Sequence, residues 1–337
     1  MTAHEFRLEG LEPDNPLAFF ALLGLLRALE AVDLDCEPSE RLYPRVQWAP
    51  APLRPVLVVR RSATEDEIAK RAVDGIAQLA NHHDFGDHAD LNYTQQEARE
   101  ILSEAIAKAG PHQRYRADLL AALMSDGAVE GKRSKKSESP RIAPTPVCLL
   151  FGQGHQHFLK RLRDVPRSRT PDELEDKGRV GAGEEPEQYV QETIFRPWRR
   201  DDTMLSSFRW DPNEIARYAL MPGNPTDPKY KLGTQYGANR LAAIGISVLS
   251  GAPRNRADRT WLTIVGGHYD KDGFTLAWPI WRAPATLAAI RFMLAHPGLR
   301  DGGLRHMGVE QVMVSRRIQI EKYFSFTRAQ PRFVEAT

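Results

Sequence analysis

Cysteine is nearly absent. Cys36 and Cys148 are the two in 337 residues, and they form neither a zinc-ligand spacing nor the framework of a disulfide-stapled domain. That usage fits a reducing, cytoplasmic compartment. An excess of one charge is missing too: 46 basic residues against 44 acidic ones leave +2, so any electrostatic preference has to come from segregation of charge along the chain. Long hydrophobic runs are lacking. The richest, residues 17–26, has about half of the roughly twenty apolar residues a bilayer span needs. It follows a polar, strand-like start, Glu5-Phe6-Arg7-Leu8-Glu9, which does not read as a signal or membrane anchor. Catalytic signatures are sparse: there is no Gly-x-Ser-x-Gly elbow, dinucleotide fingerprint or Walker loop, and Gly266-Gly267-His268 lacks the Lys and Ser/Thr that would cradle phosphates. No internal repeat is apparent.

What is present describes an ordinary globular chain, 42% hydrophobic and 27% charged, long enough to bury a real core and to allow two domains. The best-specified stretch is residues 8–31. Asp14 or Asn15 can cap a helix, Pro16 suits a first helical position, and residues 17–29 are apolar nearly all round, which predicts a buried helix. Gly24 costs that helix roughly 1 kcal/mol of propensity, so its expected purpose is to admit another backbone.

Downstream, residues 56–59 read as a buried strand, and helices are expected over about 64–80, 94–109 and 116–124. The composition then turns polar in two long insertions, about 125–146 and 164–189, which the pattern predicts to be mobile loops. Between them come a short strand at 147–151 and a helix starting near His155. Later strands are expected at 194–198, 206–211, 262–265, 274–279, 312–315 and 318–326, with helices at about 237–247 and 284–295. The fold class is therefore α+β, mixed strands and helices with no clear C-terminal helical bundle. Either a loose boundary near 190 separates an N-terminal α/β region, 1–190, from a strand-rich region, 191–337, or the two form one domain.

Two kinds of polar cluster stand out. Residues 82–90, His82-His83-Asp84 through Asp87-His88 to Asp90, hold enough imidazoles and carboxylates for a divalent metal, although only Asp84 and His88 have helical i, i+4 spacing. The basic signals are stronger. Lys132, Arg133, Lys135 and Lys136 lie in the first insertion, and Arg196-Pro197-Trp198-Arg199-Arg200 sets three guanidiniums around an indole, with Arg209-Trp210 following. Arginine beside an exposed aromatic suits phosphate contact and base stacking; alternatively, Trp198 and Trp210 are core residues whose neighbouring arginines reach out to water. Lys229 and Lys231 precede a Gly-bearing turn ahead of Asn239 and Arg240, and Arg254, Arg256 and Arg259 form another basic group, as do Arg316 and Arg317.

Three stretches together resemble one family. LEGLEPDNPLAFFALLGLLRALE is similar to the opening of the large subunits of type I CRISPR effector complexes (Cascade), in particular the compact type I-U, or I-G, group. FRWDPNEIARYALMPGNPTDPK with YGANRLAAIGISVL resembles that group's central pattern, and LAWPIWRAPATLAAI its later Pro-x-Trp-x-x-Pro element. The likeness covers about half the chain in scattered pieces. It implies a non-enzymatic subunit, without cofactor or metal, that reads the protospacer-adjacent motif on target double-stranded DNA. It also implies partners: guide RNA, the backbone and guide-processing subunits, and a helicase-nuclease recruited in trans for antiviral defence. On that basis Arg196, Arg199, Arg200, Lys229, Lys231, Asn239 and Arg240 are candidates for DNA or guide-RNA contact, with the 132–136 run as a further basic loop. Gln235 and Asn239 are candidate readers of a groove edge, since an amide donates and accepts together.

Two other classes compete. A metal-dependent nuclease or hydrolase would use the cluster from His82 to Asp90. A protein scaffold without DNA contact would use the buried helix and the Trp-rich surfaces, its arginines only solubilising it.

Overall fold

Helix α1, Pro16–Asp35, is the axis of the molecule. It begins where the local chemistry says it should: the Asn15 side chain accepts the N–H of Leu17 at 2.9 Å, and Pro16 occupies the first turn. Its apolar circumference is buried on nearly every side. The computed structural model describes residues 4–110, 114–129, 139–150, 157–175, 185–214, 233–256, 259–320 and 323–333. Among them Gly24 does what its position predicts. A Cβ there would lie 1.8 Å from the carbonyl oxygen of Leu241, and one at Gly245 would lie 2.1 Å from that of Phe20. Two helices thus cross backbone to backbone, the second being the later Tyr236–Gly245.

Around this axis the described residues form three sheets. Strands β1 (His4–Arg7), β2 (Arg45–Ala49) and β3 (Arg54–Val59) form an antiparallel sheet in the order β1-β3-β2. Helices α2 (Glu65–Ala80), α3 (Gln95–Ala107) and α4 (Tyr115–Leu123) follow; Thr64 and Thr94 cap the first two, the second through a full capping box with Glu97. Next come α5 (Phe158–Arg167), the single turn α6 (Pro171–Glu175), α7 (Pro186–Phe195) and α8 (Tyr236–Gly245). The second sheet is a two-stranded ribbon, β4 (Gly251–Arg256) with β5 (Arg259–Ile264). The third runs β10-β8-β7-β6, with β9 also on β8. Its strands are β6 (Gly267–Asp270), β7 (Gly273–Trp281), β8 (Val309–Ile320), β9 (Tyr323–Phe326) and β10 (Gln330–Phe333), and helix α9 (Leu287–Ala295) lies between β7 and β8.

The fold is α+β, as expected. The first and third sheets meet around α1: Trp278 stacks on Phe19 with centroids 5.1 Å apart, and the Trp281 indole donates to the carbonyl of Val46 at 2.7 Å. One connected cluster of buried apolar side chains runs from Leu8 to Ala329. The boundary expected near 190 falls inside α7, and the two regions share this core. Among the described residues no helix is long and apolar enough to cross a membrane.

Several expected elements change character. Residues 194–198 are not a strand: Ile194 and Phe195 complete α7, which begins at Pro186 and ends before Pro197. Residues 206–211 are not a strand but the last residue of a 3-10 turn, Met204–Ser206, followed by irregular chain, and 147–150 are buried without pairing as a strand. Part of the second insertion is helical, as the last turn of α5, as α6 and as the first turn of α7; α5 and α7 are anchored by Val165 within it and by Leu162 and Val190 at its edges, whereas α6 buries no residue.

Candidate nucleic-acid interface

Where α7 ends, the chain makes an irregular loop over residues 196–211 whose geometry is set by buried polar groups. Arg200 and Arg209 both adopt left-handed backbone, at φ 60° and 64°, a conformation costly for a residue with a Cβ. Arg200 is held there from several sides. Its Nε lies 2.6 Å from Asp211 Oδ2, its N–H points to Gln235 Oε1 at 3.4 Å, and its guanidinium covers the Trp198 ring at 5.3 Å. Asp211 is fully buried and also accepts from Asn15 Nδ2 at 3.0 Å, which ties the loop to the start of α1. The Trp198 indole donates to the carbonyl of Thr193 at 2.9 Å.

Behind the loop a second carboxylate is enclosed. Glu214 accepts hydrogen bonds from the hydroxyls of Ser207 and Thr234. Burial, with the charge of Asp211 added, raises its pKa from 4.5 to about 7. Asn239 completes the network, donating to Thr234 Oγ1 at 2.9 Å and accepting the N–H of Phe208 at 3.3 Å. Asp202 caps α8, accepting the N–H of Tyr236 at 2.7 Å. Neither Asp211 nor Glu214 was among the expected site residues; the Asp-Pro-Asn-Glu run marks a turn but gives no sign that its carboxylates turn inward.

This arrangement divides the expected contacts. Arg196, its side chain 62% exposed, donates to Glu65 at 3.3 Å and to the Phe195 carbonyl at 3.1 Å, and Arg199 is exposed, so both guanidiniums lie on the outer side of the loop. Arg200 is mostly enclosed and works as a strut. Gln235, Asn239 and Arg240 do not face a groove: all three are buried, the two amides hydrogen-bonded inside the protein and the Arg240 guanidinium directed at the carbonyls of Pro166 and Arg169 at 3.5 Å. Gln235 bonds Thr193 as well as Arg200, and the Arg240 guanidinium lies 5.7 Å from the Tyr236 ring, where burial lowers its pKa. Trp210 is a core residue, stacked on Phe208 at 4.4 Å with its indole N–H on the carbonyl of Val147. Lys132, Arg133, Lys135, Lys136, Lys229 and Lys231 lie outside the described residues.

No family model, no curated protein and no solved structure matches this chain. The chemistry is therefore read from its own side chains. A second basic feature is the β4–β5 ribbon, which among the described residues pairs with neither larger sheet. Its register pairs the Cα atoms of Arg256 and Arg259 at the far end and sets Arg254 opposite Trp261. Arg254 is exposed and Trp261 half-buried against the Tyr269 ring. The arginines were visible as a sequence cluster; the hairpin that gathers them was not, though a polar Ala-Asp break between alternating residues is its signal.

The cluster from His82 to Asp90 disperses on folding. His83 is buried, bonded through Nδ1 to the carbonyl of Leu162 at 2.6 Å and through Nε2 to the Tyr115 hydroxyl at 2.7 Å, and burial lowers its pKa to about 4. His88 pairs with Asn92 and lies against Tyr93, Asp84 accepts the N–H of Gly86, and Asp90 caps α5 while holding His157 at 2.8 Å. Among the described residues, no three His, Cys, Asp or Glu side chains converge as a metal site would require.

Proposed function

We propose that this chain is the DNA-recognition subunit of an RNA-guided surveillance complex, of the compact type I CRISPR large-subunit kind that its sequence resembles. In this reading it binds the duplex flanking the target, reads a short protospacer-adjacent motif, supports R-loop formation and recruits a helicase-nuclease, acting by binding and not by bond cleavage. The observation that carries it is the arginine loop. Arg196 and Arg199 stand outward on a backbone tied down by the buried Arg200–Asp211–Asn15 network, and two guanidiniums held this way suit contact with a phosphate backbone. The β4–β5 ribbon supports the same reading, since a two-stranded ribbon has the width to enter a major groove.

The test is binding of the protein, assembled with guide RNA and partner subunits, to short duplexes with a randomised flank at two salt concentrations. Arg196→Glu with Arg199→Glu is expected to weaken binding roughly tenfold or more and to flatten the log–log salt dependence by roughly 2, one for each phosphate that is no longer neutralised. Unchanged affinity and slope, or assembly without flank preference, would replace this reading with that of a protein scaffold.

A further inference from the structure

A cleft of about 540 Å³ opens between the second half of α1, the end of α2, the start of α4 and the segment entering β2, and it shares no residue with the arginine loop. Its volume lies within the range of about 300–1,000 Å³ typical of small-molecule sites. Its wall carries excess positive charge. Arg27 and Arg114 line the cleft and both reach Asp118, at 2.8 and 3.1 Å, where Arg291 joins them at 3.0 Å. Three guanidiniums on one carboxylate leave positive charge uncompensated. Arg41 uses its Nε on the carbonyl of Cys36, which leaves its terminal nitrogens outside that bond, and Arg45 is exposed on the rim.

The acids lining the cleft, Glu30, Asp33 and Asp35, are outnumbered by its four arginines, Arg27, Arg41, Arg45 and Arg114. Asp33 is engaged by the N–H groups of Leu42 and Tyr43 at 2.9 and 2.7 Å and by Arg71. Asp35, at the exposed edge, accepts from Gln78, and burial raises the pKa of Glu30 against the opposing charge of Arg27. The Asp33 bonds also explain the backbone of Tyr43, which sits at φ 49° and is thereby turned to the mouth of the cleft, 37% exposed. The Arg60 guanidinium lies over one face of the Tyr43 ring at 5.2 Å, so the mouth combines the opposite face of an aromatic ring held in a strained conformation with arginines that retain free donors.

We infer that this cleft binds a nucleotide, its phosphate on Arg41, Arg45 and Arg114 and its base against the Tyr43 ring. Arginine forks match phosphate oxygens, and a planar base stacks on an aromatic face whatever its identity. The occupant is either a free mononucleotide or a single unpaired nucleotide of a longer strand; the phosphate-and-base chemistry is the same. The inference does not rest on the DNA-recognition reading.

The full chain would be titrated by calorimetry with adenosine and guanosine monophosphates, ribose 5-phosphate, inorganic phosphate and a short single-stranded oligonucleotide, each at up to millimolar concentration. Binding of the mononucleotides at least roughly tenfold tighter than inorganic phosphate or ribose 5-phosphate is expected, and it should weaken roughly tenfold in Arg45→Glu. Tyr43→Gly, which relieves the backbone while removing the ring, should abolish the preference for the base-bearing ligands. Tight binding of the oligonucleotide alone would identify the strand as the source, and binding of the mononucleotides alone the free nucleotide. Equal affinity for phosphate and nucleotide, or no binding by any of these, would overturn the inference. Arg45→Glu should leave flank-selective duplex binding intact, so this result and that of the arginine-loop test fail separately.

Discussion

Glu214 is buried, 4% exposed, its oxygens accepting from Ser207 and Thr234 with Asp211 nearby, and its pKa is raised by that burial from 4.5 to about 7. A carboxyl group with a folded pKa above its unfolded value holds more protons in the folded state between those limits. Its contribution therefore makes folding stability fall as pH rises from about 4.5, and the loss is complete just above pH 7. A shift of this size corresponds to about 3 kcal/mol. Glu214→Gln keeps the shape and removes the titration. The amide donates where the carboxylate accepted, and that fixed cost is the same at every pH. The stability difference between variant and parent should therefore move in the variant's favour by about 3 kcal/mol from pH 4.5 to just above pH 7. Urea unfolding followed by the fluorescence of the six tryptophans, in steps across that range, measures it. A difference that does not change with pH would refute the argument that this carboxylate is enclosed.

The remaining predictions use the same core. His83 has the opposite sign: with its pKa lowered from 6.5 to about 4, it costs stability as pH falls through that interval. His83→Phe should be destabilised at neutral pH by roughly 2–4 kcal/mol, for the missing bonds to Leu162 and Tyr115. Unfolding curves should show that deficit shrinking towards pH 4. Gly24→Ala would force α1 and α8 apart by about 1 Å, since a Cβ would stand 1.8 Å from the Leu241 carbonyl, and should cost about 3 kcal/mol. Gly110→Ala, where a Cβ meets nothing within 4 Å, is the matched control and should be neutral; equal urea midpoints for the two variants would contradict the helix crossing.

Local chemistry made much of the scaffold legible. Asn15 with Pro16, Thr64 with its following acids, and the Thr94–Glu97 box each define a helix start within a few residues, because capping bonds join neighbours in sequence. Gly24 betrayed a close backbone approach by being expensive where it stands. The short apolar runs at 147–151 and 194–198 misled, since a run of that length suits a buried strand, a helix end or unpaired chain equally well.

The candidate site was legible only in part. Composition and spacing located the arginines around Trp198, and Arg196 and Arg199 are indeed outside. Nothing local distinguishes them from Arg200, which turns inward to Asp211, or from Arg240, whose guanidinium is enclosed. The sequence by itself determined the helix starts, the central buried helix and the presence of basic clusters, since these depend on residues a few positions apart. Tertiary structure alone decided which polar side chains face water. That choice depends on partners far along the chain, such as Asn15 and Asp211, 196 residues apart, because a polar group is buried only where folding supplies its hydrogen bonds.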